Sequence, residues 1–97
     1  MPVTAWIGLG SNLDEPAKQI RRAADALAAL PDSQLLALSP LYQSRPVGPQ
    51  DQPDFVNAVA ALRTTLQPLA LLDALQAIEQ AHGRVRLRHW GERTLDL

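Results

Sequence analysis

The sequence contains no cysteine, which excludes a disulfide framework and a thiolate nucleophile and is compatible with a reducing compartment. No stretch approaches the roughly 18 consecutive apolar residues of a membrane span. The opening MPVTAWIGLG has no basic leader ahead of its apolar residues, so we expect no signal peptide and a cytoplasmic setting. Aromatic residues are scarce, with one Phe, one Tyr and two Trp among 97 residues, so a core must rest on Ala, Leu, Ile and Val. An excess of charge of one sign is also lacking. Nine Lys or Arg face ten Asp or Glu, a balance that argues against a bulk nucleic-acid binder. What is present is an uneven distribution. Residues 1–83 carry five basic and eight acidic groups, whereas residues 84–97 carry four and two. The closing segment GRVRLRHWGERTLDL is therefore suited to a small anionic ligand held locally by arginines.

The length fits one domain, residues 1–97. Val3 to Gly10 is short and apolar, closes on glycine and reads as a buried strand, ended by Gly10-Ser11-Asn12. A helix is expected to begin between Asn12 and Pro16. Asn12 and Glu15 have capping-box spacing, Asp14 is a rival cap, and Pro16 suits a first turn. Ile20, Ala23, Ala24, Leu27 and Leu30 recur at helical spacing until Pro31 and Asp32. Leu35 to Leu38 is a second apolar run, with an extended piece through Tyr42. Residues 44–54, SRPVGPQDQPD, form a stiff loop, and Phe55 to Leu62 is a further strand. Its alternation puts Val56, Ala58, Ala60 and Leu62 on one face and Phe55, Asn57, Val59 and Ala61 on the other. Pro68 opens a second helix with a stripe of Leu71, Leu75, Ile78 and His82, and Gly83 closes it. The composition of Arg93 to Leu97 suits a last strand entering the sheet. This order predicts an α+β, ferredoxin-like fold: a small antiparallel sheet with two helices on one face, incomplete at its C-terminal end. Such an unfinished edge is a candidate for self-association.

Few of the motifs are decisive alone. Gly8-Leu9-Gly10-Ser11-Asn12 fails as a dinucleotide fingerprint, because Leu13 occupies the third glycine position and Asp14 and Glu15 would repel a pyrophosphate. It reads as a tight strand-to-helix turn. Phe55 and Asn57 are more informative, since a ring stacks on a flat heterocycle and an amide offers donor and acceptor to its edge. Asn57 also has the alternative of bonding to neighbouring backbone. Arg84, Arg86 and Arg88 alternate, so an extended chain would put them on one side, where they are either solvated or phosphate ligands. Trp90, between the arginine group and Arg93, reads as a lid in a mobile segment. His82 and His89 lack metal-site spacing and are assigned structural or surface roles. Asp96, a single carboxylate on an expected strand beside arginines, is odd as packing and suits Mg²⁺, which takes few carboxylates plus substrate phosphates.

Three segments carry a family likeness: GLGSNL at 8–13, VGPQDQPDFVN at 47–57, and GRVR with HWGERTLDL across 83–97. They resemble 6-hydroxymethyl-7,8-dihydropterin pyrophosphokinase, an ATP-dependent enzyme of folate biosynthesis. The resemblance implies transfer of diphosphate from ATP to the pterin hydroxymethyl group, with AMP released and two Mg²⁺ in the complete site. It implies a pterin pocket of Ser44, Arg45, Pro46, Val47, Gly48, Phe55 and Asn57, with Trp90 over it. Glu79 would lie by the nucleotide, Arg84 and Arg93 would meet ATP phosphates, and Arg86 would share a mobile catalytic loop with Trp90. Asp96 would be the first of two magnesium carboxylates. The family pattern runs Asp-Leu-Asp where this sequence ends at Asp96 and Leu97, so this stretch by itself is expected to turn over weakly or not at all. A pterin- or nucleotide-binding fragment without catalysis, and a small structural or interaction domain, are the competing expectations. Neither nucleic acid nor membrane is expected as a partner.

Overall fold

In the computed structural model the described residues are 2–12, 15–45, 54–83 and 85–90. The chain runs β1 (Val3–Ser11), α1 (Pro16–Ala28), β2 (Ser33–Leu38), β3 (Tyr42–Ser44), β4 (Phe55–Thr64), α2 (Pro68–His82) and β5 (Arg86–Trp90). The sheet is antiparallel in the order β2-β4-β1-β5, with β3 pairing β4 beyond the end of β2. This is the predicted ferredoxin-like arrangement, with both helices against one face and a third short strand added on the β2 side.

Side-chain alternation decides which face the helices cover. Ala5, Ile7 and Leu9 of β1, Ala58, Ala60 and Leu62 of β4, and Val85 and Leu87 at β5 are buried in one cluster. Ile20, Ala23 and Leu27 from α1 and Leu71, Leu75 and Ile78 from α2 complete it. The alternate positions Trp6, Gly8 and Gly10, with Asn57, Val59, Arg86 and Arg88, belong to the opposite, open face. At the end of the sheet far from Gly10, buried Thr64 is matched to Ser33 by a hydroxyl–hydroxyl bond of 2.7 Å, and its oxygen accepts the Leu66 N–H. Its burial therefore leaves no orphaned hydroxyl.

The helix termini differ from the sequence expectation in one respect. No side chain caps α1, and Glu15 is itself the N-cap, with φ 58. Its carbonyl accepts the N–H groups of Lys18 and Gln19, and its carboxylate pairs with Lys18 at 3.4 Å. The Asn12–Glu15 capping box is thus not formed. Pro16 lacks an N–H and disfavours helical geometry in the residue before it, so the helix cannot start early enough to make Glu15 its third residue. Asp14 lies outside the described residues. At the other helix, Gly83 adopts φ 65 and donates to the Glu79 carbonyl, the expected glycine stop.

One strand boundary is also corrected. Gly10-Ser11 does not end β1 as a turn, because both residues pair with β4. The last strand expected at 93–97 lies outside the described residues, and among those described Arg86–Trp90 joins the sheet beside β1. The reason is the period-two pattern of Val85 and Leu87, which bury at 4% and 7% exposure while Arg86 and Arg88 face outward. Trimming Leu62, fully buried at the sheet centre, to Ala is expected to cost about 2–5 kcal/mol. Urea unfolding checks this, and a loss below about 1 kcal/mol would contradict the position of the core.

Candidate functional site

Register assembles the open face into a continuous row. Tyr42 pairs with Asn57, Asn57 with Gly10, and Gly10 with Arg86, so one rung crosses β3, β4, β1 and β5. The next rung toward the sheet centre joins Val59, Gly8 and Arg88. With neighbouring strands about 5 Å apart, the backbones of Asn57 and Arg86 stand roughly 10 Å from each other. Between them Gly8 and Gly10 carry no side chain. An amide therefore faces a guanidinium across a bare floor wide enough for a flat bicyclic ring.

Asn57 is oriented by β3. Its Nδ2 donates to Ser44 Oγ at 2.8 Å and, more distantly, to the Tyr42 carbonyl at 3.5 Å. A carbonyl only accepts, so the amide nitrogen faces β3 and Oδ1 faces β1. The Phe55 ring stands next to it. Ser39 holds the turn leading to β3, donating its N–H to the Val59 carbonyl and accepting the Val59 N–H through its hydroxyl.

Two recesses meet on this floor. The smaller, of about 450 Å³, has Tyr42, Ser44, Arg45, Phe55 and Asn57 on its β3–β4 side. The larger, of about 770 Å³, is bounded by Ser11, Asn12, Glu79, Gln80 and Gly83. Gly10, Phe55, Arg86 and Arg88 line both. The arginines thus stand at the junction, where a group spanning from one recess to the other must pass. Glu79 reaches β5 from the end of α2, its Oε2 accepting the Leu87 N–H at 2.7 Å.

Of the residues picked from sequence, Ser44, Arg45, Phe55, Asn57, Glu79 and Arg86 are brought together here. Trp90 pairs with Trp6 in the β1–β5 ladder, so the expected mobile loop over Arg86 and Trp90 is instead a sheet strand. Pro46, Val47, Gly48, Arg84, Arg93 and Asp96 lie outside the described residues. Among the described residues no group of three or more His, Cys, Asp or Glu side chains converges to hold a metal. Sequence reasoning missed Tyr42, Ser11, Asn12 and the glycine floor. Gly8 and Gly10, alternating with buried Ile7 and Leu9, were the available signal, because glycine inside a strand often marks a close approach.

The architecture defines a class: a small α+β protein whose open sheet face carries a two-part site, amide and ring on one side and guanidinium groups at the join. The chain belongs to the family described as 7,8-dihydro-6-hydroxymethylpterin-pyrophosphokinase (HPPK), whose profile matches residues 6–97. It is 58% identical over 95 residues to the 2-amino-4-hydroxy-6-hydroxymethyldihydropteridine pyrophosphokinase of Haemophilus influenzae, covering 98% of this chain and 59% of that protein. To the protein of the same name from Pseudomonas aeruginosa it is 63% identical, covering 95% of this chain and 57% of the relative. A Pseudomonas putida relative is 57% identical, with 100% of this chain and 80% of that one covered. The chain thus spans less than two thirds of the first two relatives. Among solved structures, the Bacillus subtilis YXEP protein, a dinuclear metal binding peptidase from the M20 family, matches with a TM-score of 0.60. That match covers 94% of this chain and 26% of the peptidase, and at 9% identity it reports the fold alone.

A Cβ placed on Gly10 would lie 3.2 Å from Asn57 Oδ1 and 3.8 Å from Phe55 Cδ1. Gly10→Ala is therefore expected to keep the fold, since Ala replaces Gly in a strand at no backbone cost, while displacing the Asn57 amide. NMR of the Asn57 side-chain NH₂ resonances checks this. Unshifted resonances in a folded variant would show that Gly10 does not set the amide.

Proposed function

We propose that this chain forms the acceptor and phosphate-facing part of a site that moves diphosphate from ATP to the hydroxymethyl group of 6-hydroxymethyl-7,8-dihydropterin, with AMP as the second product. The observation that carries the reading is the pair of recesses joined at Arg86 and Arg88. A flat pterin fits the smaller one, its face on Phe55 and its polar edge on the Asn57 amide. The nucleotide takes the larger one, next to Glu79, and its phosphates reach toward the arginines.

The chemistry asks little of a protein nucleophile. The hydroxymethyl oxygen attacks the β-phosphorus of ATP, the bond from that phosphorus to the oxygen bridging to the α-phosphate breaks, and the hydroxyl proton passes to solvent. What the side chains contribute is alignment and charge. Asn57 and Phe55 hold the acceptor so that its oxygen faces the junction, and guanidinium groups stabilise charge that builds on the transferring phosphates. To Arg84 and Arg93 we assign further phosphate contacts, and to Pro46, Val47 and Gly48 the rest of the pterin pocket.

Magnesium fits this donor set in kind. The ion needs few protein carboxylates where phosphate oxygens supply the remaining ligands, and Asp96 is the carboxylate we assign to it. When bound it neutralises phosphate charge.

Calorimetry with each ligand separately tests the proposal without requiring turnover. The chain is expected to bind hydroxymethylpterin and, in the presence of Mg²⁺, ATP. Asn57→Ala should weaken pterin binding about tenfold, the scale of one lost buried hydrogen bond, and leave ATP nearly untouched. Arg86→Ala should do the reverse. Absence of binding by either ligand at millimolar concentration, or equal loss of both in each variant, would overturn the assignment.

A further inference from the structure

Glu79 occupies the last turn of α2, four residues before Gly83, where the negative end of the helix dipole disfavours a carboxylate. Its two acceptors span the connection that follows. The backbone carbonyl takes the Gly83 N–H at 2.7 Å, and Oε2 takes the Leu87 N–H at 2.7 Å. One residue thereby ties both ends of the segment leading into β5. Among the described residues no basic side chain pairs with this carboxylate, so its charge is met by backbone N–H.

β5 is an edge strand, paired with β1 alone. The Leu87 N–H points to Glu79 and so away from β1. Antiparallel alternation then leaves Arg86 and Arg88, one residue to either side, as the positions whose main chains bond to β1. Leu87 itself is buried at 7% exposure and rests in the core. The short, charge-assisted bond from Glu79 thus bears on the residue between the two arginines that line both recesses.

We propose that Glu79 is a positioning residue for Arg86 and Arg88: its carboxylate latches β5 against α2, and so holds the two guanidinium groups at the junction of the recesses. This role is separate from any contact Glu79 makes with a nucleotide. The latch stands on the ligand-free geometry, and only its consequence for phosphate binding rests on the proposed function.

Hydrogen exchange of the ligand-free chain tests the latch, comparing Glu79→Ala and Glu79→Gln with the unaltered protein. In Glu79→Ala the Leu87 amide should exchange on the order of tenfold faster while the Ile7 and Leu62 amides keep their protection, which separates local release of β5 from general loosening. Glu79→Gln keeps a carbonyl oxygen at the same reach and should restore most of the protection. Calorimetry with Mg²⁺ and ATP then tests positioning. Glu79→Ala should bind several-fold more weakly, with pterin affinity within about twofold, and its effect should be non-additive with Arg86→Ala. Unchanged Leu87 exchange in Glu79→Ala overturns the latch. Faster exchange with unchanged ATP affinity, or strictly additive effects with Arg86→Ala, overturns the positioning role. If the unaltered chain takes up no ATP while exchange follows the expected pattern, the nucleotide assignment fails and the latch is upheld.

Discussion

The pairing of β1 with β4 carries the rest of the molecule. Nine consecutive residue pairs, from Val3 with Thr64 to Ser11 with Val56, fix which side chains of both strands turn toward the helices. A slip of one residue would send Ile7, Leu9 and Leu62 to solvent and drive Gly8, Gly10 and Asn57 into the core. The cost of exposing those aliphatic side chains holds the register, at roughly 1.5–3 kcal/mol for each fully buried one. Because β5 pairs with the other side of β1, the same register also sets Arg86 opposite Gly10 and Arg88 opposite Gly8. Core and site are two faces of a single constraint.

That arrangement explains how a chain so poor in aromatic residues builds a flat, open floor between polar walls. The floor is made by omission, with glycine at two successive positions of the open face. The walls come from neighbouring strands, the amide and ring from β4 and the guanidinium groups from β5. β2 departs from regular pairing between Leu35 and Ala37, and on β5 the Leu87 N–H is taken by Glu79. Irregular or already bonded edges pair poorly with another strand. Among the described residues no helix is long and apolar enough to cross a membrane.

Much of the fold was legible in the order of residues. Helical spacing of Ile20, Ala23, Ala24 and Leu27, period-two alternation through β4, Pro16 and Pro68 at helix starts and Gly83 at a helix end each express a local rule. The errors came where two local rules compete. Asn12 and Glu15 have the spacing of a capping box, but Pro16 constrains the residue before it more strongly. Gly10-Ser11 has the composition of a turn, yet the β4 ladder keeps it extended. Arg86 to Trp90 has the composition of a solvated loop, and burial of Val85 and Leu87 makes it a strand.

The sequence by itself determined the family, the apolar face of each element and several of the groups that line the two recesses, because identity, periodicity and side-chain chemistry are local properties. Phe55, Asn57, Glu79 and Arg86 could be chosen without coordinates. Only the tertiary structure decided that the Ser44 hydroxyl orients the Asn57 amide, that Gly10 lies between that amide and Arg86, and that Glu79 bonds the backbone of the strand bearing the arginines. Each of these depends on cross-strand register or helix-to-strand docking. Those are set by how the whole core packs, and no single segment encodes them.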